Sequence, residues 1–236
     1  GKKIRKSKKT KGDGQSDAFS SKVIRANTSM GKDAFSTKVK KAKKLKKGDE
    51  VKILLMSSNY EKYGINGFDR LIGGLQEFLN NNKQFYFTLL IAGKTSSDFI
   101  KILGDFTHPN LSVNCLGYLT INKLNNLINE IDIGINDLGY HRNNQHYNST
   151  LKTVDFIGWH LPFIISHNDS NISIANEFCL NIPATDENVD IYKMISFLSN
   201  LPSNITEDFK NTKTEILLPK RINNLISYIN NLQRTY

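Results

Sequence analysis

Between Asn136 and Ser149 the chain places Tyr140, His141, Arg142 and His146 in one polar run of fourteen residues. That exceeds the roughly two to six residues usual between a strand and a helix, and long connections of this kind tend to carry function. The two imidazoles could ligate a metal, but no third strong ligand lies close to them in sequence, so no metal site is expected. Lys152 follows immediately. With Ser149 as the helix cap, Lys152 falls in the first turn, where the macrodipole is positive and disfavours a lysine by about 0.3 to 1 kcal/mol. Two accounts remain open: a bound diphosphate reverses that sign, or Lys152 pairs with Asp155 three residues on.

A second group lies between Ser57 and Arg70, where Lys62 and Arg70 flank Gly64 and Gly67. Two glycines and two cations near a helix start can surround a phosphate, and the competing account is a solvated loop. The stretch lacks G-x-G-x-x-G, which argues against a dinucleotide-binding site. Gly93-Lys94-Thr95 has the tail of a phosphate loop, but Thr88 stands where that motif needs its first glycine, so the motif is absent. Ser96 or Ser97 is instead expected to cap a helix.

These residues need a scaffold, and the apolar pattern supplies one. Short buried runs predict strands at Val51 to Met56, Phe85 to Ala92, Leu111 to Leu116, Ile131 to Ile135, Pro162 to Ser166 and about Phe178 to Ile182. Between them, spacings of three and four predict helices. Phe68, Leu71, Ile72, Leu75, Phe78 and Leu79 line one, and Ile121, Leu124, Leu127, Ile128 and Ile131 another. Further helices are expected over Asp98 to Phe106, about Thr150 to Trp159, Ile191 to Leu201 and Ile222 to Leu232. Six strands alternating with helices predict an α/β fold with a Rossmann-like, doubly wound parallel sheet. Ligands of such folds sit outside the carboxyl ends of the strands. The connections at 57 to 67, 93 to 97, 117 to 120, 136 to 150 and 166 to 172 are therefore where a site belongs.

Charge divides the 236 residues unevenly. Lys and Arg outnumber acidic residues 17 to 3 in positions 1 to 47, leaving 15 against 19 in the remainder. Residues 1 to 50 are poor in hydrophobics and read as a basic, partly disordered extension, with one globular domain over 51 to 236. The extension is either solvated or drawn to an anionic surface. Nucleic acid is an unfavoured partner, because no aromatic-interleaved basic motif supports it. Two cysteines build neither a disulfide scaffold nor a zinc ribbon, so a reducing, cytoplasmic compartment is expected. No apolar run reaches the roughly 18 to 20 residues of a membrane span. A start at Gly1 suggests an excised or processed piece.

Asn148-Ser149-Thr150-Leu151-Lys152-Thr153-Val154-Asp155-Phe156-Ile157-Gly158-Trp159-His160-Leu161-Pro162-Phe163 resembles the S-P-L-K-T-R-E-Y-L-A-x-G-L-P-F segment of bacterial group 1 glycosyltransferases, which have the two-domain GT-B fold. Gly67-Phe68-Asp69-Arg70-Leu71-Ile72 is similar to their G-x-D-R-L-I, and Leu116-Gly117-Tyr118-Leu119 to their L-G-x-L. The match runs in order over about 51 to 200, and Asn188 to Ile191 resembles a further stretch of polysaccharide-synthesis members. Val23 to Lys38 weakly resemble the connector that precedes the domain. The sequence departs from the pattern at Val154 for arginine, Asp155 for glutamate, His160 for glycine, and Tyr147 for a further glutamate.

The resemblance implies the carboxy-terminal, donor-binding half of a GT-B fold. It implies that the chain takes part in transferring a sugar from a nucleoside-diphosphate sugar to a saccharide or lipid-linked acceptor in polysaccharide synthesis. Lys152 and Arg70 are the implied catalytic cations, with Lys62 an alternative contact to the diphosphate. Ser149, Thr150 and the helix amides hold the same group, and Asp155 takes the ribose. Gly67 belongs to the matched segment, and the backbone at Gly117 and Tyr118 faces the base. Tyr140, His141 and Arg142 border the sugar. No metal and no separate cofactor are implied. A separate amino-terminal acceptor domain is, and lipid-linked acceptors make peripheral attachment to the inner membrane face an expectation. The alternatives are a catalytically degenerate nucleotide-sugar-binding module and a nucleic-acid binder acting through the basic extension.

Overall fold

A computed structural model describes residues 45–46, 48–60 and 64–201. Residues 1–44 and 47 of the basic extension, Lys62 and the helix expected over Ile222 to Leu232 lie outside the described residues.

Six parallel strands form one sheet. They are β1 (Glu50–Tyr60), β2 (Tyr86–Thr95), β3 (Leu111–Gly117), β4 (Ile133–Ile135), β5 (Phe163–Ile165) and β6 (Cys179–Asn181), in the spatial order β3-β2-β1-β4-β5-β6. Register is set by apolar pairs such as Val51 with Phe87, Ile53 with Ile133, and Ile164 with Leu180. The helices are α1 (Phe68–Asn81), α2 (Ser97–Asp105), α3 (Ile121–Ile128), α4 (Leu151–Gly158), α5 (Ile172–Ala175) and α6 (Ile191–Ser199). After β3 the chain crosses back to pair the free edge of β1, so the winding reverses between β1 and β4. The crevice outside the carboxyl ends of those two strands is the topological switch point.

The central strands read as continuous apolar runs because helices cover both faces, and Ile53, Leu54, Leu89, Ile91, Ile133 and Phe163 are fully buried. β3 is an edge strand whose residues are only half-buried or exposed. α1 buries Leu71, Leu75, Phe78 and Leu79 on the stripe its spacing predicts. β4 is shorter than expected. Asp132 takes the Lys52 amide on its carboxylate at 2.8 Å while its own N–H bonds Lys52 O at 2.9 Å, so the ladder begins only at Ile133. α3 likewise stops at Ile128, capped by Asn129, and leaves Ile131 buried in the turn that follows. The sixth strand is preceded by two short elements that the apolar pattern does not announce, α5 and a 3₁₀ turn at Asn176–Phe178.

Gly93-Lys94-Thr95 continues β2 and forms no phosphate loop. A Cβ on Gly93, whose φ is +125°, would stand 1.7 Å from Ser57 O, so only glycine lets β2 lie against the end of β1. Ser96 caps α2 by accepting the Phe99 amide at 3.1 Å.

Candidate functional site

Four connections meet at the switch point. The loop after β1 leads into α1 through Gly67, whose φ of +58° and contact with Leu138 leave no room for a side chain. Gly139 N–H donates to Ile65 O at 2.8 Å and Leu138 N–H to Asn66 O at 3.1 Å, so the loops after β1 and β4 are joined by their backbones. Arg142, from a 3₁₀ turn over Tyr140–Asn143, locks the seam. Its guanidinium forks onto both oxygens of Asp69 at 2.9 and 2.7 Å and donates to Asp186 at 2.7 Å and Gly64 O at 3.3 Å. His141 Nε2 lies 3.0 Å from the same Asp186 oxygen. These two partners hold the exposed Asp186 carboxyl below its ordinary range, Arg142 acting most strongly.

Arg70 is placed beneath this seam, only 2 % exposed. Its Nε, Nη1 and Nη2 donate to the carbonyls of Glu187 (2.7 Å), Leu138 (2.6 Å) and Pro183 (3.0 Å). Burial, reinforced by Arg142, lowers its pKa below the ordinary value. The resemblance implied a cation on the diphosphate. In the structure Arg70 instead ties the segment after β6 to the β4 loop.

Thr150 caps α4, correcting the expectation that Ser149 does so. Its Oγ1 accepts the Thr153 amide at 3.2 Å. Two buried carboxyl and amide side chains decide the cap. Asn136, just after β4, donates to Thr150 Oγ1 at 3.1 Å and Thr153 Oγ1 at 2.8 Å. Asp169, after β5, accepts from the Thr150 amide (3.0 Å), Thr153 Oγ1 (2.7 Å), and the Asn171 amide and Nδ2 (2.8 and 2.7 Å). Ser149 is left exposed at the rim, accepting from Asn171 Nδ2 at 3.0 Å. The amides of Leu151 and Lys152, at the first two helical positions, meet no acceptor among the described residues.

Lys152 does lie in the first turn, and its partner within the protein is Asp137, not the expected Asp155. Nζ donates to Oδ1 of Asp137, a carboxylate with 3 % of its side chain exposed, while the lysine side chain is 20 % exposed. Asn66 Nδ2 donates to the same oxygen at 2.9 Å. Beside this pair, Tyr140 packs edge-on against His167 with centroids 4.7 Å apart, and His167 Nδ1 lies 3.3 Å from Asp137 O. Burial lowers the His167 pKa, and its Nε2 has no partner among the described residues. Burial and then Asp137 push the Tyr140 hydroxyl pKa up.

Asp155 sits one turn further along α4, half-buried. Desolvation raises its carboxyl pKa from 3.8 to about 7. Gly117 and Tyr118 lie at the end of edge strand β3. Gly117 has φ +64° with open space where a side chain would be, and Tyr118, 71 % exposed, donates to Ser58 O at 3.3 Å. The rim also contains a cleft of about 380 Å³ lined by Tyr147, Asn148, Ser149, Asn168, Asp169 and Ser170. Among the described residues, no three His, Cys, Asp or Glu side chains gather as a metal ion would require, and no helix is long and apolar enough to cross a membrane.

No protein-family model matches the chain, and no curated protein sequence does. Solved structures do match. Sucrose-phosphate synthase from Thermosynechococcus elongatus superposes with a TM-score of 0.52 at 12% identity, over 80% of this chain and 46% of that one. This chain shares its fold with GT-B glycosyltransferases. It spans about half the length of the synthase. The C-terminal domain of a glycosyl transferase group 1 family protein from Francisella tularensis is similar over 70% of this chain and 86% of its own length, with a TM-score of 0.49 and 12% identity. At these identities the likeness is one of fold.

Of the residues that the resemblance singles out, the structure gathers Ser149, Thr150, Lys152 and Tyr140 at the mouth of α4. Gly67, His141 and Arg142 form the seam beside it. Asp155 is displaced along α4, Gly117 and Tyr118 stand at the β3 end, and Arg70 is buried. Asp137, Asn136, Asp169 and His167 escape the sequence reading. All four directly follow or lie shortly after a predicted strand, which is the one signal that could have found them.

Proposed function

We propose that this chain is the donor-binding half of a glycosyltransferase, holding a nucleoside-diphosphate sugar across the switch point. The observation that carries the reading is the pair of open amides at Leu151 and Lys152, with the Lys152 ammonium beside them at the start of α4. Such an arrangement suits a diphosphate, because donors and dipole point at one place. Charge developing on the leaving diphosphate is then stabilised by groups already in position. Asp155 takes the ribose hydroxyls, Tyr118 borders the base, and the cleft beside Tyr147 receives the sugar. The acceptor is a saccharide or lipid-linked saccharide of polysaccharide synthesis, bound by a separate amino-terminal domain. The basic residues 1 to 47 bring the assembly to the anionic inner face of the membrane.

One observation favours a second reading, a binding module without turnover. Lys152 already faces a carboxylate, and Arg142 and Arg70 donate to acceptors within the protein. That reading predicts nucleotide affinity without sugar release when an acceptor domain is supplied.

Calorimetric titration of the full chain with UDP, GDP, ADP and CDP tests both. Lys152→Ala removes the charged partner of the buried Asp137 and leaves that carboxylate to Asn66, so the double variant Asp137→Asn/Lys152→Ala, which removes the negative charge as well, is measured beside it. Saturable binding of one diphosphate, lost in both variants, supports the donor site. Absence of binding, or binding that a polyanion removes through the basic extension, overturns it.

A further inference from the structure

We propose that Asp137 is a resident counter-ion that Lys152 exchanges for the diphosphate, so that Asp137 acts as a positioning residue setting how tightly the site holds its anion. The inference rests on the donor-site reading. Asp137 is fixed without help from Lys152: its N–H donates to Asn136 Oδ1 at 2.8 Å, and its Oδ1 accepts from Asn66, which also reaches Ser57 Oγ at 3.1 Å. When the lysine turns away, the carboxylate keeps a hydrogen-bonded partner. Lys152 is the mobile member. It has one partner among the described residues, a partly exposed side chain, and three donors on a flexible stem.

The mouth of α4 thus carries two buried carboxylates, Asp137 and Asp169, against one ammonium. Asp169 is committed by four hydrogen bonds, two from Thr150 and Thr153 at the cap and two from Asn171. An incoming anion is repelled by Asp137 and gains only if it reaches the ammonium and both open amides together. A diphosphate has that span and charge. A neutral sugar has no charge, and orthophosphate brings fewer oxygens and less charge to the same three donors. After transfer, the return of Lys152 to Asp137 competes with the diphosphate product and speeds its release. The carboxylate therefore trades affinity for turnover.

The test titrates UDP, GDP, ADP and CDP into the full chain and into Asp137→Asn, Asp137→Ser and Asp137→Glu, with thermal unfolding of each. Ser keeps an acceptor for Asn66 should the Asn variant fold poorly. The two neutral variants are expected to bind the diphosphate about ten-fold tighter or more, with a steeper dependence on salt. Asp137→Glu restores affinity close to that of the parent. Equal or weaker binding in neutral variants that unfold at the parent temperature overturns the proposal while leaving the donor site intact. Loss of folding in both neutral variants assigns Asp137 a structural role and overturns it as well. If neither the parent nor any variant binds a nucleotide, the donor-site reading fails first and the proposal falls with it.

Discussion

The two sides of the switch point use their cations differently. On the β1 side, Arg142 and Arg70 commit their guanidinium donors to fixed acceptors, two carboxylates and four carbonyls. On the α4 side, Lys152 has a single carboxylate partner, and two neighbouring amides have no partner among the described residues. The planar forks of arginine suit the first task, because each fork fixes several strands of chain at once. The compact ammonium of lysine suits the second, because it can turn to a new acceptor without releasing the fold. One side is a rivet and the other a contact that can open.

Removing Arg70 should give the largest effect. Arg70→Met leaves the buried carbonyl of Leu138 and the part-buried carbonyls of Glu187 and Pro183 without the donor they share, and the buried one bears most of the cost of desolvation. The expected loss is about 3 to 5 kcal/mol in urea unfolding. Arg70→Lys should recover only part of it, since one ammonium cannot span three carbonyls. A stable Arg70→Met protein that had lost nucleotide affinity would reverse the comparison and return Arg70 to the ligand.

Arg142→Ala should cost less, about 2 kcal/mol, because its partners Asp69 and Asp186 are partly or largely exposed and regain water. Its bond to Asp69 can be isolated by a double-mutant cycle with Asp69→Asn, measured by urea unfolding at two salt concentrations. A coupling that persists at high salt marks a bidentate, water-excluding contact. One that vanishes marks a surface ion pair and weakens the contrast with Lys152.

The ease of reading the sequence followed the same divide between short-range and long-range causes. Strand positions came from local apolar runs, so β1, β2, β3 and β5 appear within a few residues of where they were expected. The α4 segment and Lys152 in its first turn were legible for the same reason. The partner of Lys152 was not. A helical spacing of three pointed to Asp155, whereas Asp137 lies fifteen residues back across a loop, a distance only the fold closes. The choice of Thr150 over Ser149 as cap depends on Asp169, nineteen residues away. Arg70 looked like a phosphate ligand because its acceptors are main-chain oxygens from 68 to 117 residues distant, and no side-chain pattern reveals a carbonyl.

Asp155 gives the smallest effect and the finest test, because it lies on the open side yet is partly withdrawn from water. Its folded-state pKa of about 7 exceeds the ordinary 3.8, so the folded protein holds this proton more tightly than the unfolded chain does. Stability from this group is therefore full below about pH 4 and declines as pH rises toward 7, the reverse of a salt-bridged carboxylate. Between pH 6 and 8 the parent should lose about 1 kcal/mol relative to Asp155→Asn, which lacks the titrating group. Nucleotide affinity should move the other way if the ionised carboxylate receives the ribose hydroxyls. It should rise over the same interval in the parent and stay flat in the Asn variant. Opposite slopes for stability and affinity would place Asp155 with Lys152, among groups whose folded environment is unfavourable until a ligand arrives. Parallel slopes, or none, would place it with the arginines as part of the scaffold.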